Sequence, residues 1–280
     1  MNFLKYKPRI DRRISELLAK SEKNLPILGY WGRDAMKRLR SFALRGKSLR
    51  GSLVLFSYRL FKNVLKPEVI DVAAALELIH SALLIQDDIM DEDEVRRGIK
   101  TIHLQYAGLG QIKKIPMPRH FGESAAVCLS DIAFFLAFGA LGRLRFKAAL
   151  AKDFWELFSQ ELATTAVGQM EEAASFGIKR LNLNLYRAKT ARYTFVLPLL
   201  AGAMLAGKRR SELKKFEKLG EILGVIFQLK DDELDKKRSG TGKEILRLAR
   251  KAERLILTLP APKQKEAFSG ILAYNLSRLS

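Results

Sequence analysis

Apolar residues recur at helical spacing through most of the 280-residue sequence, and alternating strand-like runs bounded by hairpin turns are missing. Pro67 can occupy the first turn of a helix that carries Leu76 and Ile79 toward a core and continues to about Asp91. Shorter helices would fill roughly the first 65 residues and the last 40. Further long helices are predicted at about 122–142, 147–176, 183–206 and 211–236. The spacing therefore predicts an all-α fold.

We predict that these helices form one domain, because no low-complexity linker and no fixed-period repeat divides the chain. At 48% hydrophobic content, residues 1–280 can bury a substantial core. Pro198 falls inside the helix predicted at 183–206, where it should kink the helix or mark a break. The nearly uncharged stretch at 125–142 only just reaches membrane-spanning length, and Asp131 interrupts it. We interpret this stretch as a buried core helix.

The sequence contains a single cysteine, Cys128, so neither an intramolecular disulfide nor a cysteine-based zinc site is available. This cysteine usage favours a reducing compartment. The first residues, MNFLKYKPRIDRR, are charged and lack the apolar stretch of a secretory signal. We therefore expect a cytoplasmic protein.

The formal net charge of +20 favours polyanionic partners, which are nucleic acid, an anionic lipid surface or a phosphorylated substrate. The basic residues lie in several parts of the chain, without interleaved aromatic stacking platforms and without a recognisable DNA-reading motif. Taken alone, each basic cluster is best explained as a solvated helix face. We expect no specific nucleic-acid partner, and the basic surface is compatible with peripheral membrane association.

Residues 86–98 are QDDIMDEDEVRRG, which puts six acids between Asp87 and Glu94 in a strongly basic protein. Asp87 and Asp91 are four residues apart and share one helix face, with Asp88 beside them. The negative end of the helix dipole disfavours each of these carboxylates by about 0.3–1 kcal/mol. Bound Mg²⁺ would reverse this effect, because it prefers carboxylate oxygens and completes its coordination with water and substrate phosphates. The cluster therefore predicts a magnesium site for a diphosphate ligand.

A second copy of the pattern, FQLKDDELD at 227–235, places Asp231, Asp232 and Asp235 after another apolar helical run. One such cluster is a weak signal, since acidic helix ends are common on solvated surfaces, but two are a strong one. If the two helices face each other across a bundle, their carboxylates could clamp several Mg²⁺ ions on one diphosphate. Basic side chains suited to phosphate oxygens stand at Arg96, Arg97 and Lys189.

In these motifs and their order, the chain resembles the trans-isoprenyl diphosphate synthases. The resemblance covers most of the chain and implies a bundle of about ten or more helices around a deep central cavity, with a homodimer as the usual assembly. It also implies an enzyme that condenses an allylic diphosphate with isopentenyl diphosphate, using about three Mg²⁺ ions per active site. The matching segments are GKSLR at 46–50, ELIHSALLIQDDIMDEDEVRRGIKTIH at 77–103, Ser130-Asp131, Gly168-Gln169, Lys189-Thr190 and FQLKDDELD at 227–235.

The resemblance assigns a role to each matching residue. Direct metal ligands would be Asp87, Asp91 and Asp231, assisted by Asp88, Asp232 and Asp235. Isopentenyl diphosphate would be held by Lys47, Arg50, His80 and Arg97. The allylic diphosphate would face Arg96, Lys189, Thr190 and Gln228, with Lys243 as an addition. The residues tied most directly to the ionisation step would be Asp87, Asp88, Asp91, Arg96, Lys189 and Asp231.

Several of these residues have a structural explanation as well. His80 lies on an apolar helix, where it could be a core residue. Lys47 and Arg50 could cap a helix, because cations are favourable at helix C-termini. Asp131 could be a buried partner for a basic group.

The chain departs from the family pattern after Asp235, where it passes quickly through KKRSGTGKE into its closing helices, so we expect a domain shortened after the second aspartate motif. Lys243 could replace the usual phosphate-contacting lysine of this region. The segment GTGK is not a P-loop, since the earlier glycine is absent and Glu244 replaces the magnesium-binding hydroxyl residue. Smaller departures are Ser48, Gly51, Ser130 and Glu172.

Product length should depend on the helix turns before Asp87, where short-chain relatives often carry a bulky ring. Here the residues are Leu83 four positions earlier, Ala82 five positions earlier and Ile79 a turn deeper. Their size favours a product of C20 or longer, with geranylgeranyl diphosphate as the first candidate. A floor could instead come from Phe134, Phe135 and Phe138, although core packing is their default role.

We therefore interpret the chain as a trans-prenyltransferase. One alternative is a noncatalytic or regulatory subunit of a heteromeric prenyl diphosphate synthase, suggested by the shortened end. A class I terpene cyclase would not need the GKSLR and paired-arginine motifs, and a nucleic-acid-binding helical protein is suggested by charge alone.

Overall fold

The computed structural model describes residues 3–24, 29–146, 148–174, 182–234 and 240–277. The predicted all-α fold class is confirmed. The α-helices of the first half are α1 (Lys7–Asn24), α2 (Tyr30–Leu44), α3 (Leu49–Arg59), α4 (Pro67–Met90), α5 (Ile102–Ile112) and α6 (Pro118–Leu141). Those of the second half are α7 (Ala148–Ala174), α8 (Leu183–Tyr186), α9 (Leu197–Leu205), α10 (Lys214–Leu234), α11 (Gly242–Leu257) and α12 (Pro262–Leu276). Short 3₁₀ turns lie at Phe3–Tyr6 and Arg210–Leu213, and a π-helix runs over Arg187–Val196.

The chain forms two compact units. The N-terminal unit comprises Leu4–Ser52 and Lys66–Leu144, and the C-terminal unit comprises Met1–Phe3, Leu53–Leu65 and Arg145–Ser280. The prediction of a single domain over the whole chain stays a prediction.

Helix α4 forms the core of the N-terminal unit and packs against α1 and α6. It starts at Pro67, as predicted, because proline fits the first helical turn, where no intrahelical N–H bond is needed. Its residues from Val72 to Ile79 are buried, so this segment is covered all round. The Ser130 hydroxyl of α6 donates a 3.1 Å hydrogen bond to the Ala82 carbonyl oxygen and joins the two helices.

Helix α6 differs from the buried core helix that the sequence predicts. Its buried face packs on α4 and α5, but Val127, Phe135 and Phe138 are exposed on its other side. Asp131 is also exposed, so the interpretation of this residue as a buried ionic partner is wrong. Among the described residues, α6 is the one helix whose length and composition would suit a membrane span, and 39% of its apolar stretch is buried in the protein. The apolar residues of α6 are therefore divided between a face packed on α4 and α5 and a face exposed on the surface of the unit.

Helix α10 packs against the π-helix, α11 and α12 in the C-terminal unit. The predicted irregularity near Pro198 is confirmed, since the helix changes from π to α geometry at Leu197. The Leu197 N–H bonds to the Arg192 carbonyl five residues earlier, and Pro198 follows in the first turn of α9. Because this proline has no N–H to donate, it is tolerated where one helical segment begins.

A two-stranded hairpin after α4 was not predicted. Strand β1 (Val95–Arg96) pairs with antiparallel β2 (Ile99–Lys100). Arg97 and Gly98 form the turn with φ of 55° and 75°, as a type I′ turn requires. The signal in the sequence was Gly98 between two apolar-basic pairs, Val95-Arg96 and Ile99-Lys100. A strand of two residues is too short to show the alternation that identifies a strand.

Candidate functional site

The first aspartate cluster lies at the C-terminal end of α4. Asp87 is partly buried, Asp88 is buried and Asp91 is exposed at the residue that caps the helix. The Asp91 N–H donates a 2.8 Å bond to the Asp87 carbonyl, which closes the last turn. The carboxylates therefore gather at the negative end of the helix dipole, where they need positive charge nearby.

Arg96 of β1 supplies that charge. Its Nε lies 2.5 Å from Asp88 Oδ1, and its Nη2 lies 2.5 Å from Asp93 Oδ2 and 3.8 Å from Asp87 Oδ2. Desolvation raises the pKa of Asp88 to about 6, against the opposing attraction of Arg96. The hairpin is what brings this arginine back onto the helix end.

Asp88 Oδ2 is buried and finds no hydrogen-bond partner among the residues that the structure describes. Buried carboxylate oxygens are normally paired, so this atom has coordination capacity left. The described residues contain no preassembled group of three or more histidine, cysteine or acidic side chains arranged around a metal position. Mg²⁺ does not require one, because it usually binds through one or two carboxylates and keeps several waters. The oxygen donors of Asp87, Asp88 and Asp91 therefore fit Mg²⁺.

Arg97 points its guanidinium at the GKSLR loop of the same unit. Its Nη1 donates a 2.6 Å hydrogen bond to the Phe42 carbonyl, and its guanidinium lies 4.9 Å from the Phe42 ring centroid. A Cβ on Gly46 would come within 2.9 Å of Arg97 Nη2, so this loop and the arginine are in close contact. Neighbouring arginines of one hairpin thus serve different partners, with Arg96 on the carboxylates and Arg97 on the basic loop.

Glu77 was missed by the sequence analysis. It is buried in α4, and its Oε1 accepts a 2.7 Å hydrogen bond from the Gly51 N–H in the first turn of α3. The carboxylate thereby satisfies the free N–H end of that helix. Desolvation raises the pKa of Glu77, and the charges of Arg50 and Arg97 oppose the shift. The available signal was an acidic residue inside the apolar run AAALELIHS.

Gly51 lets α3 approach α4 this closely. A Cβ there would stand 2.8 Å from the Ala73 carbonyl oxygen, closer than real contacts allow. Arg50 is buried beside it at the N-terminal end of α3. Arg50 therefore does not cap the C-terminus of its own helix. Lys47 is exposed in the loop before α3.

His80 follows Glu77 by one turn and is partly exposed. Desolvation lowers its pKa well below the usual value, and the positive charges of Arg50, Arg97 and Arg96 lower it further. The imidazole is therefore neutral at pH 7 and can donate one hydrogen bond beside a group of arginines. The structure thus brings Arg50, His80 and Arg97 within electrostatic reach of one another.

The chain-length candidates occupy two environments. Ile79 and Ala82 are fully buried in the N-terminal unit, whereas Leu83 is partly exposed. Leu83 lies one turn from both His80 and Asp87, so these three share one face of α4. The role of the three residues in product length stays a prediction. Core packing as the default role of the phenylalanines is wrong for Phe135 and Phe138, which are exposed.

The second aspartate cluster ends α10 in the C-terminal unit. Asp232 is buried, while Asp231 is partly exposed and Asp235 lies outside the described residues. Gln228 Nε2 donates a 2.8 Å hydrogen bond to Asp232 Oδ1, and the Tyr186 hydroxyl donates to Asp232 Oδ2. Neutral donors therefore hold this carboxylate. Tyr186 was not predicted, and its distance of 46 residues along the chain gave no signal.

The π-helix contributes the other predicted residues of this unit. The Thr190 hydroxyl donates a 2.8 Å hydrogen bond to Gln228 Oε1, which links the π-helix to α10. Lys189 Nζ is ion-paired with Glu172 of α7. Lys243 stands apart from this chain of hydrogen bonds, exposed in the first turn of α11. Thr190, Gln228 and Asp232 are thus connected, with Tyr186 as the added member.

Arg192 fixes the π-helix to its neighbours. Its guanidinium is ion-paired with the buried Glu161 of α7 and contacts Glu217 at 3.1 Å and Glu221 at 2.6 Å on α10. This network was not predicted. A partly buried arginine with several carboxylates holds three helices in one register, because leaving the buried Glu161 carboxylate unpaired would be costly.

Comparison with known proteins agrees with these motifs. The polyprenyl synthetase family model matches residues 35–249. A short chain isoprenyl diphosphate synthase of Methanocaldococcus jannaschii is 31% identical over 193 residues, which cover 68% of this chain and 54% of that protein. A geranylgeranyl diphosphate synthase of Sulfolobus acidocaldarius is 30% identical over 226 residues, covering 78% and 63%. The matched stretch spans about half of the first relatives' length, at 54% and 55%.

Solved structures share the fold over nearly the whole chain. A geranylgeranyl pyrophosphate synthase from Corynebacterium glutamicum, complexed with isoprenyl diphosphate and magnesium, has a TM-score of 0.76 at 21% identity, covering 98% of this chain and 87% of that one. An isoprenoid synthase family member from Thermotoga neapolitana has a TM-score of 0.73 at 25% identity, covering 96% and 98%. The resemblance stated from the motifs is confirmed, and the chain belongs to the polyprenyl synthetase family.

Proposed function

We propose that the protein is a trans-prenyltransferase that joins an allylic diphosphate to isopentenyl diphosphate. The observation that carries the proposal is the face of α4, where paired carboxylates at Asp87 and Asp88 lie two turns beyond His80 and the arginines around it. Carboxylates for a metal-bound diphosphate thus lie on the same helix as His80, and Arg50 of α3 and Arg97 of the hairpin lie around that histidine to bind a second diphosphate. A protein that ionised a single diphosphate would not need the second group.

The proposed metal ion is Mg²⁺, held in the N-terminal unit by Asp87, Asp88 and Asp91. In the C-terminal unit, the oxygens of Asp231 and Asp232 would suit Mg²⁺ for the same chemical reason. When bound, Mg²⁺ neutralises charge on a departing diphosphate. The number of ions and the action of both clusters on one diphosphate stay predictions, as does the part assigned to Asp235.

The basic groups bind and orient the substrates. Arg50, Arg97 and Lys47 would attract the diphosphate of isopentenyl diphosphate, and neutral His80 would donate a hydrogen bond to it. Arg96, which already spans Asp88 and Asp93, would face the allylic diphosphate from the carboxylate side. In the C-terminal unit, the residues proposed to bind the allylic diphosphate are Lys189, Thr190, Gln228 and Lys243.

The chemical step is a substitution at the allylic carbon. The bond between this carbon and the diphosphate oxygen breaks, and the diphosphate leaves with the electron pair. The double bond of isopentenyl diphosphate attacks the resulting allylic cation, and transfer of a proton from the condensed product to the departed diphosphate forms the new double bond. The protein's contribution is charge stabilisation, orientation and exclusion of water.

The product is proposed to be C20 or longer, with geranylgeranyl diphosphate first. The absence of an aromatic ring at Ala82 and Leu83 supports this length. A homodimer is also proposed, since Val127, Phe135 and Phe138 leave one side of α6 open. Such an apolar face on a helix is typical of an interface. A cytoplasmic location and peripheral association with membranes complete the proposal.

The test is turnover by the purified chain with Mg²⁺, radiolabelled isopentenyl diphosphate and farnesyl diphosphate. Chromatography should show a labelled C20 or longer product, and a chelator should abolish it. Formation of a hydrocarbon without isopentenyl diphosphate would contradict prenyl transfer and would indicate a terpene cyclase instead. If the chain alone forms no product and turnover appears when another subunit is added, catalysis by this chain alone would be contradicted.

A further inference from the structure

Exposed aromatic and apolar side chains meet lysines on one surface of the N-terminal unit. Tyr30 and Trp31 begin α2 and are 47% and 44% exposed. Ile112 at the end of α5 is 80% exposed, and Met117 just before α6 is 71% exposed. Lys113 and Lys114 are exposed between them. We name these six residues the aromatic–lysine patch.

Side-chain contacts make this patch one continuous surface. Lys113 Nζ lies 4.1 Å from the Tyr30 ring centroid and 5.8 Å from that of Trp31. The two aromatic rings are 5.0 Å apart in an edge-to-face arrangement. Trp31 also packs edge-on against Phe121 of α6, with 5.4 Å between centroids. The start of α2, the end of α5 and the start of α6 are therefore fixed beside one another.

The connection between α5 and α6 is tightly folded. Lys114 and Met117 both adopt positive φ, at 55° and 51°, a conformation that side-chain-bearing residues seldom adopt. The Ile115 N–H bonds to the Gly110 carbonyl at 2.8 Å and closes the first turn. An apolar methionine thus remains in solvent on a constrained backbone, although loops of this kind usually carry small polar residues at their tips.

The charge of the surrounding surface is positive. Lys37 is exposed on α2, seven residues after Tyr30 and therefore on the same helix face. Arg119 does not add to this charge, because it is ion-paired with Glu92 and Glu123. The whole chain carries a formal net charge of +20, so an anionic surface is attracted from a distance. Lysines beside exposed apolar groups complement an anionic surface with an apolar interior.

These residue types match the interface of a lipid bilayer better than a protein partner. Tryptophan and tyrosine place an apolar ring near the acyl chains and a polar edge among the headgroups, and lysines beside them reach anionic headgroups. Lysine is instead depleted in protein–protein interfaces. We propose that the aromatic–lysine patch docks the protein on anionic lipid bilayers. This proposal deepens the membrane association proposed above and rests on no catalytic assignment.

The experiment uses Trp31 as its own reporter. The sequence contains two tryptophans, Trp31 and Trp155, so the Trp155→Phe protein carries Trp31 alone. Titration with phosphatidylglycerol–phosphatidylcholine vesicles should shift the Trp31 emission to the blue. Lipids brominated on the acyl chain should quench it. A Trp31→Phe protein, which retains Trp155, should bind more weakly and show neither change in emission.

A charge-matched pair of variants separates the patch from general attraction. Lys113→Glu/Lys114→Glu should weaken vesicle binding at least about 30-fold, since each lysine near an anionic surface contributes about a factor of five. Arg250→Glu/Lys251→Glu changes the net charge equally at two exposed positions of α11 and should weaken binding much less. Circular dichroism checks that every variant folds, and a single Ile112→Ser change provides a milder second test.

Three outcomes would overturn the proposal. They are no emission shift with anionic vesicles, equal weakening by both charge-reversal pairs, and a Trp31 shift that follows protein concentration without vesicles. The last would indicate a second copy on the patch. Prenyl transfer is measured separately in vesicle-free buffer, where the lysine variants should keep their turnover. A parent protein that binds vesicles but shows no turnover in vesicle-free buffer would count only against the proposed catalysis.

Discussion

The two aspartate clusters have nearly the same sequence but different partners. At the end of α4, buried Asp88 is ion-paired with Arg96, and its second oxygen finds no partner in the described part of the chain. At the end of α10, buried Asp232 is held on both oxygens by the neutral donors Gln228 and Tyr186. The motif fixes which oxygens are present, while the surroundings fix their charge balance. The first cluster should therefore respond to charge and pH, and the second to loss of neutral hydrogen bonds.

The largest expected effect is the loss of prenyl transfer when either cluster loses its leading carboxylate. Asp87→Asn and Asp231→Asn should each reduce kcat by about 10²–10³-fold, because charge stabilisation of the leaving diphosphate is lost. Steady-state assays with varied Mg²⁺ would measure this. The matched control is Asp131→Asn on the exposed side of α6, which should keep full activity. If only one of these two variants keeps activity within a few fold of the parent, the two clusters are not equivalent in function.

The next effect tests the ionic partner of the first cluster. Arg96→Met leaves buried Asp88 without its countercharge and should lower the free energy of unfolding at pH 7 by about 2–3 kcal/mol, less than for a fully buried pair because Arg96 is partly exposed. Urea denaturation of the metal-free protein would measure the change. Arg119→Met removes an exposed arginine nearby and should change stability by less than about 1 kcal/mol. Equal effects would refute the importance of the Asp88 pair.

A pH titration of stability should test the first cluster further. Desolvation raises the pKa of Asp88 from 3.8 to about 6, so the folded protein binds this proton more tightly than the unfolded chain does. Its contribution to the free energy of unfolding is therefore greatest below about pH 4 and falls as the pH rises to about 6. The loss is about 3 kcal/mol, since each pKa unit between the folded and unfolded values contributes about 1.4 kcal/mol.

The difference between the parent and Asp88→Asn, measured by denaturation in chelator, would isolate this slope. If Asp88→Asn keeps the parent's slope, Asp88 is not the group that makes the stability of the first cluster depend on pH.

The smallest expected effect concerns the neutral partner of the second cluster. Tyr186→Phe removes one hydrogen bond to Asp232 and should lower the free energy of unfolding at pH 7 by about 1 kcal/mol. It should also raise the Mg²⁺ concentration needed for half-maximal turnover, because Asp232 is held less firmly. Tyr274→Phe on α12, a partly exposed tyrosine of the same unit, serves as a control for removing a hydroxyl group. An effect larger than that of Arg96→Met would reverse the comparison.

The sequence predicted the long helices well because their signal is local. Pro67 marks the start of α4 and Pro198 marks the change in helix type, and both act through the backbone of the same segment. The β-hairpin was missed because four paired residues are too few to show a period. Its effect is large, since it carries Arg96 back to Asp88. The exposed side of α6 was missed because hydrophobicity alone does not tell a buried face from an open one.

The sequence by itself determined the helical fold class, the family and the position of the carboxylates at two helix ends, because 3.6-residue spacing fixes which neighbours share a face. Only the tertiary structure decided the partners of those groups. Glu77 reaches Gly51 across 26 residues, and Tyr186 reaches Asp232 across 46. No local pattern encodes such pairs, because they arise when packing removes polar groups from water and each must find a partner within reach.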